Sequence, residues 1–322
     1  MGVMLENFPV QSRKIAIVGT GNVGMSFAYA LTLTGLASEI VLIDVNKKKA
    51  IGEAMDLNHG VPLLKPVKIR AGEYEDVAGA AVTVITAGSA QKPGETRLNL
   101  LQRNVNIFKS IIPEVVRHNP EGLLLIATNP VDVLAYVSWK ISGLPKERVI
   151  GSGTVLDTAR FRYLLSQAYG VDARNVHAFV IGEHGDSEVP VWSLANIAGM
   201  RLDEFCDVSG LGSVFMDQDA ISAKTREAAY EIIEAKGATY YAIGAGLLRI
   251  VEAILNDQRS VLSVSTLVED YYGINDVYLS LPCIVDRYGL HHKLCLTLTL
   301  EESEQLRKSA SVLRKHLDQL DI

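Results

Sequence analysis

Apolar positions in the first half of the chain come in short, nearly unbroken runs separated by longer stretches of helical spacing. Residues Lys14–Val18, Glu39–Ile43, 82–86 and 123–127 form such runs, and a helix-compatible segment follows each. Unbroken runs are expected of strands covered on both faces. Their alternation with helices predicts an α/β fold with a Rossmann-type doubly wound parallel sheet. The rhythm changes near Gly151-Ser152-Gly153. A helix over 155–168 follows, then a strand over 176–181, two long helical stretches between Asp217 and Leu255, further strands, and an amphipathic helix over 301–317. The expected division is an N-terminal arm (1–12), a doubly wound domain (13–151) and a mixed α+β domain (152–322).

Between the third run and a helix starting near Leu98 lies a polar stretch punctuated by Gly88, Pro93 and Gly94. It has the composition of a mobile loop. The length of 322 residues is about twice a typical domain, enough to bury a core without covalent staples. A net charge of -6 with no basic run argues against nucleic acid as a partner. Cys206, Cys283 and Cys295 are odd in number and widely spaced, so neither a disulfide framework nor a metal site is expected, and a reducing cytoplasm fits. The apolar runs fall far short of the roughly 18 residues a spanning helix needs. The first dozen residues, with Glu6 and Pro9, do not resemble a signal peptide.

The first strand runs into Gly19-Thr20-Gly21-Asn22-Val23-Gly24, and a helical pattern through Phe27 and Leu31 ends at Gly35. Strand, glycine turn and helix in that order form a dinucleotide site. Gly19 makes the tight turn, Gly21 lets the backbone approach a pyrophosphate, and Gly24 packs helix on strand. Asp44, at the end of the second strand, is placed to accept hydrogen bonds from ribose hydroxyls and to repel a 2'-phosphate, which favours NAD. The plain alternative is a ligand-free turn with Asp44 capping the next helix.

Gly182-Glu183-His184-Gly185-Asp186 places a histidine just past a strand, between glycines. Asp157 and Arg160 lie three residues apart, about 60° around a helix, on one face. A 2-hydroxy acid needs a carboxylate anchor, a proton-transfer group and a positive charge beside its reacting oxygen. Arg160 offers the planar fork for the first, His184 the imidazole for the second, and loop residue Arg97 the third. Asp157 would orient the imidazole and favour its charged form. An internal Asp157–Arg160 ion pair is the structural alternative.

The motifs GTGNVG, GSAQKPGETRLNLLQRN, TNPVD, GSGTVLDTARFR and GEHGDS, read together, resemble the L-lactate and malate dehydrogenase family from about Lys14 to near the C-terminus. The resemblance implies that Asp157 and His184 form the proton-relay pair, Arg160 anchors the substrate carboxylate and Arg97 is the loop arginine. It also implies that Asn129 positions substrate and the nicotinamide ribose, and that Val23, Gly88, Ser89, Ser110, Thr128 and Ser152 line the cofactor cleft.

Gln91 stands six residues before Arg97, where similar malate dehydrogenases carry an arginine for the second carboxylate. Closing a neutral amide over that carboxylate would lose a few kcal/mol, on the order of a hundredfold in discrimination. Together with Gly94-Glu95-Thr96 in place of the malate-type sequence, this points to pyruvate and L-lactate, with malate or another 2-hydroxy acid as the alternative. Thr239 matches the position that walls the methyl end of the pocket; without the resemblance it would read as a mid-helix threonine. Arg162 lies about 200° around the helix from Arg160 and faces away from the substrate. In similar bacterial lactate dehydrogenases, arginine and histidine at the positions of Arg162 and His177, from paired subunits, bind fructose 1,6-bisphosphate. Members without that regulation carry the same residues, so a surface arginine and a half-buried strand histidine stay open as the plain reading. The resemblance also implies a homotetramer.

Overall fold

A computed structural model describes residues 12–89, 97–209 and 217–321, with the Arg97 side chain outside that description. Gln91, most of the expected loop and all but the last residue of the expected arm therefore lie outside the described residues.

In chain order the elements are β1 (Lys14–Val18), α1 (Asn22–Thr34), β2 (Glu39–Ile43), α2 (Lys47–Gly60), β3 (Lys68–Ala71), β4 (Val82–Ile85), α3 (Arg97–His118), β5 (Leu123–Ile126), α4 (Val131–Ser142) and β6 (Val149–Gly151). The second half adds α5 (Val155–Tyr169), β7 (Val176–His177), β8 (Val180–Ile181), β9 (Val189–Pro190), β10 (Asn196–Ile197), β11 (Met200–Arg201), α6 (Leu202–Ser209), α7 (Gln218–Lys236) and α8 (Tyr241–Leu255). Three long strands and a helix close it: β12 (Ser260–Val268), β13 (Val277–Asp286), β14 (Gly289–Lys293) and α9 (Leu300–Leu317).

β3, β2, β1, β4, β5 and β6 lie side by side in that order, all parallel. This is the doubly wound arrangement, and its order reverses between β1 and β4, whose carboxyl ends open the crevice where such sheets bind ligands. β1, β2, β4 and β5 are almost wholly buried, as their unbroken apolar runs require. The second half does not form a separate sheet for its long strands. β12 pairs antiparallel with β6 where Ser265 faces Gly151, and β13 and β14 follow, giving nine strands in one sheet.

Two details depart from the sequence expectation. β3 is a strand although only Ile69 of its four residues is buried. It lies at the sheet edge, where charged residues such as Lys68 and Arg70 are tolerated and the apolar signal fades. The strand expected over 176–181 is two short ones, because Val176–His177 pairs with β10 and Val180–Ile181 pairs with β9. A change of partner in mid-run leaves no mark in hydrophobic period.

Candidate active site

The glycine turn is built as its spacing requires. A Cβ on Gly24 would lie 2.1 Å from the Gly19 carbonyl oxygen, so only glycine lets α1 approach β1 this closely. At Gly21 a Cβ would meet nothing within 4 Å. Gly21 is the N-cap of α1 and no side chain caps that end, leaving helix amides facing open space, the setting a pyrophosphate takes. Asp44 accepts from the Thr20 backbone at 2.7 Å, from its hydroxyl at 2.8 Å and from the Asn46 backbone at 2.8 Å. Burial raises its pKa, but these bonds and Lys49 outweigh it, so the carboxyl sits below its usual range and stays charged. The cap of α2 is Asn46, not Asp44. The residues present thus fit an adenine dinucleotide without a 2'-phosphate.

On the other side of the crevice, Gly88 and Thr128 are in close contact, since a Cβ on Gly88 would lie 2.5 Å from the Thr128 methyl. Asn104, buried in α3, accepts from the Ser89 backbone at 2.9 Å and donates to the Asn129 carbonyl at 3.4 Å. It joins two expected cofactor positions, and the sequence reading did not single it out. Asn129 is exposed at the head of α4, Val23 is half-buried in α1, and Ser152 is buried at the end of β6. The structure does not bring Ser110 into this group: it is exposed on α3, and its hydroxyl donates to Ile107 of the same helix at 2.7 Å.

His184, Asp157 and Arg160 do meet. His184 Nδ1 is 2.5 Å from Asp157 Oδ2, and Arg160 Nη1 is 2.7 Å from Asp157 Oδ1. The ion pair weighed as an alternative therefore exists, and the same carboxylate also holds the imidazole. Asp157 is 2% exposed, whereas His184 and Arg160 remain 22% and 15% exposed. Burial raises the Asp157 pKa, but the charges of His184 and Arg160 win and hold it below the usual range. Burial disfavours the His184 cation; Asp157 foremost, then Asp132 and Glu188, more than offset this and push its pKa up to about 9. Of these, Asp132 accepts from the His184 backbone amide at 2.7 Å. Glu188 is buried, pushed up to about 8 by burial and then by Asp157, and its Oε1 lacks a hydrogen-bond partner among the described residues. Neither carboxylate was assigned a role from sequence; their signal is a charge inside an apolar context, as in Val131-Asp132-Val133 and Glu188-Val189-Pro190.

Two cavities open here. One, about 810 Å³, is lined by Gly185, Asp186 and Glu188 together with α7 and α9. The other, about 490 Å³, reaches Arg160 and Thr239 and lies closer to the proposed anchor. Thr239 is not in mid-helix; it sits in the short link between α7 and α8. The candidate effector pair reverses its expected exposure. Arg162 is half-buried, donating to the Ala178 carbonyl at 3.0 Å, while the neighbouring His177 is exposed.

Residues 13–151 match the family model for the lactate/malate dehydrogenase NAD binding domain, and residues 154–321 that for its alpha/beta C-terminal domain. The chain is 54% identical to the L-lactate dehydrogenase of Acetivibrio thermocellus, covering 96% of this chain and 98% of that protein. It is 52% identical to L-lactate dehydrogenase 1 of Clostridium acetobutylicum, covering 96% and 99%. Among solved structures, a lactate dehydrogenase from a Medee basin deep-sea metagenome library superposes with a TM-score of 0.93 at 48% identity, covering 96% of this chain and 99% of that one. The minor L-lactate dehydrogenase of Enterococcus mundtii gives 0.92 at 42% identity, covering 97% and 99%.

Proposed function

The chain belongs to the lactate/malate dehydrogenase family, and from that premise we propose that it is an NAD-dependent L-lactate dehydrogenase interconverting L-lactate and pyruvate. The observation that carries this reading is the imidazole, carboxylate and guanidinium chain of His184, Asp157 and Arg160 beside the crevice. Bound NAD supplies the hydride acceptor and NADH the donor. In reduction, protonated His184 donates from its outer nitrogen to the pyruvate carbonyl oxygen as the carbon gains the hydride; in oxidation the neutral ring takes the lactate hydroxyl proton. Asp157 fixes the ring through Nδ1 and offsets the charge of its acid form. Arg160 holds the substrate carboxylate with donors not given to Asp157. Arg97 stabilises the developing alkoxide, Asn129 positions substrate and nicotinamide ribose, and Thr239 with Gln91 selects a methyl side chain. Gly19, Gly21, Val23, Gly24, Asp44, Gly88, Ser89, Thr128 and Ser152 form the cofactor cleft, within a division of the chain at residue 151.

The same reading gives a cytoplasmic homotetramer in which Arg162 and His177 of paired subunits bind fructose 1,6-bisphosphate. The test is NADH consumption followed by absorbance with pyruvate and with oxaloacetate. Turnover of pyruvate at least tenfold faster at equal low concentration is expected; oxaloacetate preference, or no turnover of either, overturns the assignment. Gln91→Arg should move the preference toward oxaloacetate. Added bisphosphate should lower the apparent KM for pyruvate, and an unchanged KM removes the effector role.

A further inference from the structure

We propose that Asp132 is a positioning residue for proton transfer: its carboxylate clamps the main chain of His184 against the Asn129 turn and adds a second negative charge beside the ring. This rests on reading His184 as the proton-transfer group.

Asp132 stands in the first turn of α4, three residues after Asn129, and is 2% exposed. Its flanking residues Val131, Val133, Leu134 and Ala135 are all buried and apolar. Oδ2 accepts from the His184 backbone amide at 2.7 Å, and Oδ1 accepts from the Ser265 hydroxyl at 2.5 Å. Ser265 is itself fully buried and sits where β12 pairs with Gly151. One carboxylate thus joins the head of α4, the segment after β8 and the central sheet. A distance between two reacting groups on different elements needs such a tie, because small misplacement is costly in rate.

The fold does not require the tie to be charged. An asparagine of the same shape would still accept from the amide, and burying an ion is far more costly than burying an amide. The charge gains a purpose from its surroundings. Among the described residues, the imidazole is faced by Asp157 from α5, Asp132 from α4 and Glu188 from the segment after β8. Arg160 shares Asp157, Arg226 of α7 opposes Glu188, and Glu183 opposes Asp132 with like charge. Burial pushes Asp132 up to about 6, against the pull of Ser265 and His184, so it remains largely ionised at neutral pH. There it favours the protonated ring that pyruvate reduction consumes.

The experiment compares Asp132→Asn and Asp132→Ala with the unsubstituted full-length protein. NMR titration of the His184 ring, which needs no substrate, should show the Asn variant deprotonating at a pH lower by about half a unit or more. The alkaline limb of kcat/KM for pyruvate should move with it while the KM for NADH stays unchanged. An unmoved midpoint overturns the electrostatic role. In Asp132→Ala, which also loses the clamp, kcat should fall about tenfold or more below the Asn variant; equal kcat values overturn the clamp. If that variant does not fold, Ser265→Ala loosens the same tie by one bond and must still lower kcat at constant KM for NADH; an unchanged kcat overturns the clamp. Should the unsubstituted protein fail to reduce pyruvate, the functional reading falls, but the titration still decides whether Asp132 acts on the ring.

Discussion

Asp157 gives one oxygen to Arg160 and the other to His184, so the proton affinity of the ring depends on a carboxylate that is already shared. With the ring raised to about 9, its acid form dominates at neutral pH. In the proposed reaction, kcat/KM for pyruvate reduction should be flat from neutral pH upward and fall as pH passes about 9. Lactate oxidation needs the neutral ring and should rise toward the same pH; stopped-flow profiles in both directions check the sign. Asp157→Asn removes the principal source of the upward shift. The reductive limb should then move to lower pH with a rate loss on the order of a hundredfold or more. At this scale the sequence exposed His184, Asp157 and Arg160, which the structure brings into contact, because residue type and spacing carry donors, acceptors and helix faces. It did not expose Asp132 or Asn104, whose work is to hold backbone atoms of Ser89, Asn129 and His184. Such ties join positions far apart in the chain and have no period to read.

Among the elements, β1, the turn and α1 form the unit most tightly specified. A methyl at Gly24 would lie 2.1 Å from one backbone oxygen and 2.7 Å from the Thr86 hydroxyl oxygen. The oxygen belongs to main chain already bonded into the turn and has little room to yield. Gly24→Ala should therefore weaken NADH binding about tenfold or more and destabilise the protein by roughly 1–3 kcal/mol; fluorescence titration and thermal melting measure the two. The buried strands of this half were legible because both faces are covered, and helix ends were legible where glycine supplies a left-handed residue, as Gly35 does after α1. β3 and the break between β7 and β8 were not. An edge strand and a change of pairing partner are settled by what lies alongside.

For the molecule as a whole, Tyr163 on α5 and Tyr241 on α8 are exposed around the cavity that reaches Arg160, and Ile51 and Met55 are exposed on α2. The proposed tetramer gives such apolar surface something to cover. Sedimentation velocity should report a mass above that of one chain, and Tyr163→Asp should shift the distribution toward smaller species. The sequence indicated the fold class through the order of its elements, but not that β12, β13 and β14 extend the parallel sheet. A run of apolar residues does not say which edge it will join.

That join has a mechanical meaning. β12 meets β6 through one residue pair, Ser265 with Gly151, and that pair joins the strands of the dinucleotide half to the long strands of the second half. The segment that carries His184 is tied to the same sheet, since Gly182 bridges to Ser280 of β13. A substitution at that single junction would therefore be felt at both ends of the hydride's path.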